Sequence, residues 1–234
     1  MHVIKYDFTF KGETASGHGV YVEKRPDIPA GKEETDFITI AGRDSPIAVR
    51  TGERKNIEIA LSCGFLENRE MWSAKAREIR KWINGEGELS FADSANFFWK
   101  VRDVELKEFV RETKKIGKFD VTFTCDPYEY LKDGLREQDV EKVRYNPYDT
   151  AHPTYLITGN GTCTLTVNGK TMKATVGQNL TIDTDRMLAY REDGSIMNTS
   201  VNGDYEDLYL QPGENAINIT SGFGMKVIPN WRCL

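Results

Sequence analysis

The carboxylates Asp183, Asp185, Glu192 and Asp193 are the first candidates for chemistry, because paired acidic side chains can act as acid and base on a glycosidic bond. Asp185 and Asp193 stand where turns are expected, and aspartates that hydrogen-bond their own backbone account for both without catalysis. The same oxygens lack the D-x-[DN]-x-[DN]-G spacing of an EF-hand calcium loop, so no metal is assigned to them. Three histidines are present, His2 near the N-terminus, His18 between glycines and His152 before a proline, and each reads as a loop residue. No Ser-His-Asp set and no G-x-S-x-G accompanies them. The G-x-G pairs at Gly17/Gly19, Gly85/Gly87, Gly159/Gly161 and Gly222/Gly224 never extend to a dinucleotide or phosphate loop, and they read as turn glycines. Cys63, Cys125, Cys163 and Cys233 are scattered singly without a neighbouring histidine, the pattern of reduced structural thiols. Sequons begin at Asn160, Asn179, Asn198 and Asn218 and reflect only strands and turns rich in Asn and Thr. No catalytic, cofactor-binding or metal residue and no cofactor is assigned, and the chain reads as no enzyme.

What remains is the framework. At 234 residues, with 39% hydrophobic and 11% aromatic content, the chain is expected to fold, as two domains of roughly 100 to 150 residues each. No apolar run approaches the ~20 residues that span a bilayer, and the first seven residues lack an apolar signal region. The expectation is a chain neither inserted in a membrane nor exported by a cleaved signal. Net charge is −5, with 22 Lys and Arg against 23 Asp and Glu in residues 1–132, and 9 against 13 in residues 133–234. The one basic cluster, residues 111–118, is short and reads as a solvated hairpin tip, not a nucleic-acid face.

Residues 67–104 organise the first half. Trp72, Ala76, Ile79 and Ile83 fall at spacings of four, three and four, so they share one helical face that must be buried. Arg80 and Lys81 suit the last turns, and Gly85 is placed for a left-handed C-cap, which ends the helix near Asn84. Strands are expected over residues 3–10, 20–22, 37–40 and 57–61, then around Leu89 and Phe91 and around Phe97, Trp99 and Val101. Residues 101–110 and 119–124 form a hairpin with the basic cluster in its loop. Residues 23–36, with Pro26, Pro29 and Gly31 among many charges, read as an extended arm. Periodicity fails over residues 132–150, where the domain boundary is placed. Beyond it the sequence reads as strands only, a β-sandwich, with Gly159-Asn160-Gly161 as a turn and Asn168-Gly169 as a two-residue hairpin turn. Tyr190, Tyr205, Tyr209 and Trp231 can stack on sugar rings but read as core, Trp231 closing the sandwich edge.

Particular residues go further. Residues 38–44 (ITIAGRD), the helix-then-glycine segment 79–89, residues 119–128 (FDVTFTCDPY) and the ending with LQPGEN at 210–215 and PNWR at 229–232 occur in that order. Together they resemble the distal tail protein (Dit) family of long-tailed, siphovirus-type phages and phage-like elements, across essentially the whole chain. The resemblance implies a mainly β, two-domain fold: a tail-tube-like β-sandwich or barrel with one packed α-helix over residues 1–132, a linker over 133–146, and a galectin-like antiparallel β-sandwich over 147–234. It also implies a homo-hexameric ring at the virion tail tip (baseplate), made in the host cytoplasm. The partners it implies are other copies of the chain, the tail tube protein, the tail-associated fibre or lysin protein and, in some assemblies, receptor-binding proteins. DNA would only pass through the channel. A closed ring needs two different complementary patches on each subunit, and the arm over residues 23–36 is one candidate.

Three other readings stay open. A two-domain carbohydrate-binding, lectin-like protein for host-surface recognition is the main alternative; it would more often be a monomer or dimer. A tail-tube or baseplate component other than Dit is the second. An enzyme comes last, and would require activity lost on changing Asp183 or Glu192.

Overall fold

Alternating apolar residues on long strands bury one face of each sheet and leave the other polar, and two such sheets dominate this chain. The computed structural model describes residues 6–234, apart from the side chains of Thr51 and Glu53. His2 and the start of the strand expected over residues 3–10 lie outside the described residues. The fold is mainly β, with a single α-helix among the described residues, and the chain divides into two compact units, residues up to Glu129 with Leu234, and Tyr130–Cys233.

In the first unit a nine-stranded antiparallel sheet runs through Phe8–Phe10, Gly87–Phe91, Phe97–Leu106, Ile116–Leu131 and Ile57–Leu66, with Val20–Val22 at one edge. Ile57–Leu66 alternates buried and exposed almost without fault, and its register with the next strand pairs Ile59 with Phe123 and Cys63 with Phe119. The helix spans Trp72–Trp82 and buries Trp72, Ala76, Ile79 and Trp82, with Ile83 completing the stripe as C-cap. Its N–H returns to the carbonyl of Ile79, and Gly85 at φ +67 takes the left-handed turn that a side chain would strain. Trp82, which the four-three-four spacing did not include, donates from Nε1 to the carbonyl of Phe10 and stacks on Phe8.

The second unit is a seven-stranded antiparallel sheet built on a long hairpin, Thr154–Val167 with Lys170–Asp183. Asn168 and Gly169, at φ +50 and +83, make the expected two-residue turn. Gly159-Asn160-Gly161, by contrast, is no turn: the strand continues through it, fully paired, because positive φ at both glycines bends it without breaking the ladder. Tyr155 is buried, and its hydroxyl donates to the carbonyl of Leu208. Tyr155→Phe keeps the ring and strands that acceptor, so it should lower stability by about 1 kcal/mol, measured as a shift in urea midpoint at unchanged slope.

The boundary needs correction. Residues 133–146, read from composition as a linker, belong to the second unit: Gln138–Asp139 pairs with Gly224–Ile228, Tyr145–Asn146 pairs with Gly213–Glu214, and Val143 is fully buried in the second core. Two-residue strands carry too few side chains to show a period, so the sequence had no means of announcing them. The arm also changes character. Glu33–Ile38, which takes in its last four residues, pairs with Ile47–Arg54 in a separate two-stranded ribbon.

Candidate functional site

The residues singled out for chemistry do not assemble into a reactive centre. Asp183, buried at the end of its strand, accepts the backbone N–H groups of Asp185 and Arg186, each at 3.1 Å. Asp193 accepts the N–H of Ser195 at 2.9 Å, which holds its carboxyl below the usual range. These are turn aspartates. Glu192 lies in the same turn as Asp193, closed by the Gly194 N–H on the carbonyl of Arg191, and its own N–H donates to Asn179 at 3.0 Å. Cys63 and Cys125 are pushed up to about 12, and Cys163 upward, by burial first, so none of the three is a thiolate nucleophile near neutral pH.

Two histidines read as loop residues turn out to be cross-links, for which no local pattern in the sequence exists. His18 faces Glu13 through Nε2 at 2.6 Å and Glu78 through Nδ1 at 3.1 Å while stacking on Trp82 at 4.2 Å, so it ties the loop before Val20–Val22 to the helix. His152 stacks on Tyr209 at 3.9 Å. The guanidinium of Arg232 lies against the His152 ring, 2.8 Å from Nε2 and 3.5 Å from Nδ1, and Nδ1 also faces Asp185 at 3.1 Å.

The carboxyl of Glu78 is lowered, by the hydrogen bond from His18 first and then by Lys75. A carboxylate depressed in the folded state contributes stability above its unfolded value, here 4.5, and loses it as pH falls through the folded value. Glu78→Gln should therefore lower the thermal midpoint slightly across the neutral range, and the two chains' midpoints should converge as an acid series falls well below pH ~4.5.

The surface that calls for a partner is the ribbon over residues 33–54. Its register sets Phe37 opposite Ala48 on one face and Ile38 opposite Ile47 on the other. Phe37 is 68% exposed and Ile38 53%, with Ile40 and Val49 also exposed, and among the described residues no ribbon side chain enters the first core. Polar contacts along the ribbon include Arg50 to Glu33 at 3.6 Å, Lys55 to Glu34 at 3.1 Å, and Arg54 to the carbonyl of Gly31 at 2.9 Å. An isolated two-stranded ribbon is marginal in water, and apolar side chains on both of its faces favour burial against another surface. Exposure on both faces also explains why Ile47–Arg54 left no trace in the sequence, since period two is written only where one face is dry.

A mainly β chain of two units, the first carrying one packed helix and an unburied ribbon, has a Dit-like fold. One solved structure that it matches is the crystal structure of SPP1 Dit (gp 19.1), described as a paradigm of hub adsorption apparatus in phages that infect Gram-positive bacteria. The TM-score is 0.70 at 13% identity, over 95% of this chain and 97% of that one. No protein-family model and no curated protein sequence matches the chain.

Proposed function

We propose that the chain is a structural hub protein of a phage tail tip. Copies join head to tail, six to a ring, link the end of the tail tube to a fibre or lysin protein, and leave a channel for DNA. The first unit would form the ring, and the second, a galectin-like sandwich, would offer a surface to receptor-binding proteins. The observation that carries this reading is the fold likeness over nearly the full length of both chains. The ribbon supplies what a ring needs, an apolar projection that requires a complementary patch on a neighbour. The carboxylates engaged in turns and the thiols raised by burial fit a mechanical role better than a chemical one.

Negative-stain imaging of the purified protein, with its mass measured by light scattering, tests the proposal. A six-lobed annulus is expected. A stable monomer at the highest soluble concentration would overturn it.

A further inference from the structure

Of the ten tyrosines in the chain, all described, Tyr145 alone is exposed, at 62%. It is not on a mobile loop: Tyr145–Asn146 pairs with Gly213–Glu214, which makes Tyr145 and Glu214 direct cross-strand neighbours on the outward face. Beside them opens a depression of about 570 Å³, within the usual range for small-molecule sites.

Its floor is prebuilt. Asn215, 3% exposed, accepts the Gln211 N–H at 2.9 Å and the Asn168 amide at 2.8 Å, and donates to the carbonyls of Gln211 and Gly213 at 2.8 and 3.0 Å. Its own N–H reaches the carbonyl of Arg144 at 2.6 Å, and Asn168 accepts the N–H of Ala216 at 2.8 Å. The backbone on both sides of the depression is thereby held in place.

The rim is the opposite. The guanidinium of Arg144, the hydroxyl of Tyr145, the carboxylate of Glu214 and the amide of Asn218 line the opening, and none has a hydrogen-bond or ion-pair partner among the described residues. An exposed aromatic ring, one fork of donors, one pair of acceptors and one amide offering both form a set suited to a neutral polyol. The C–H face of a pyranose packs on the ring, its hydroxyls donate to Glu214 and accept from Arg144, and Asn218 does either. The adjacent opposite charges of Arg144 and Glu214 disfavour a strongly anionic or cationic ligand.

We propose that this depression in the second unit binds neutral saccharide units, with Tyr145 as the stacking platform and Arg144, Glu214 and Asn218 as the hydroxyl-reading groups. Recognition would be weak for one site, and repetition on an oligomer would strengthen it.

Saturation-transfer difference NMR on the full-length protein tests this with three probes, maltose, lactose and N,N′-diacetylchitobiose, and it reads equally well on a monomer or a ring. At least one probe should show saturable transfer to its ring C–H protons, with Kd on the order of 1 mM. Tyr145→Ala and Glu214→Gln should each weaken it about tenfold, and Tyr145→Phe should retain most of it. Tyr190→Ala, on the open face of the sheet, should leave it unchanged. The proposal fails if none of the three probes saturates, if binding survives Tyr145→Ala, or if Tyr190→Ala abolishes it equally. Circular dichroism melts confirm that the variants are folded, and Glu214→Gln decides the matter should Tyr145→Ala prove unstable.

Discussion

Replacing Phe37 and Ile38 by serine should leave a folded protein that no longer assembles. Both side chains are more than half exposed in the isolated chain, so their loss should change its stability by no more than about 0.5 kcal/mol. At an interface the same side chains would be anchors, and truncating an aromatic anchor costs roughly 2 to 4 kcal/mol, a 30- to 1,000-fold weaker joint. In a closed ring every joint carries the same lesion, so the oligomer should vanish at concentrations where the parent chain is fully assembled. Light scattering and thermal melts on the same samples measure the two effects separately. A variant that keeps the parent's mass would show that the ribbon is not an assembly element.

Trp82→Ala is expected to have the largest effect on stability. The indole is buried, stacks on Phe8 and His18, and donates to the buried carbonyl of Phe10. Removing a buried aromatic side chain costs about 3 to 5 kcal/mol, and the stranded carbonyl adds to that. A loss of ~4 kcal/mol is a large part of the stability of an ordinary domain. Hydrogen exchange read by peptide should then rise about 1,000-fold across Ile57–Leu66 and the paired part of Ile116–Leu131, and stay unchanged across Thr154–Val167 and Lys170–Asp183. Arg77→Ala, on the exposed side of the same helix, should change neither. Equal acceleration in both strand pairs would show that the two cores do not unfold independently.

The parts of this molecule that the sequence disclosed share one property, a dry face on one side of a regular element. Trp72, Ala76, Ile79 and Ile83 announce the helix because only one stripe of it meets the sheet, and Ile57–Leu66 announces itself by the same asymmetry at period two. Asn168-Gly169 is legible for another reason: positive φ at two successive residues selects those residue types locally. The order of short motifs disclosed the Dit-like fold.

What only the tertiary structure decided lacks any such local asymmetry. The ribbon over residues 33–54 is wet on both faces, so its second strand shows no period, and its first merged with a charged arm. Residues 133–146 join the second core through one buried valine and two-residue strands, too little for composition to register. His18 meets a glutamate 60 residues away, and Tyr145 meets Glu214 across a strand pair. Such partners are chosen by the closing of the sheets, and a pairing between distant residues is encoded by neither one's neighbours.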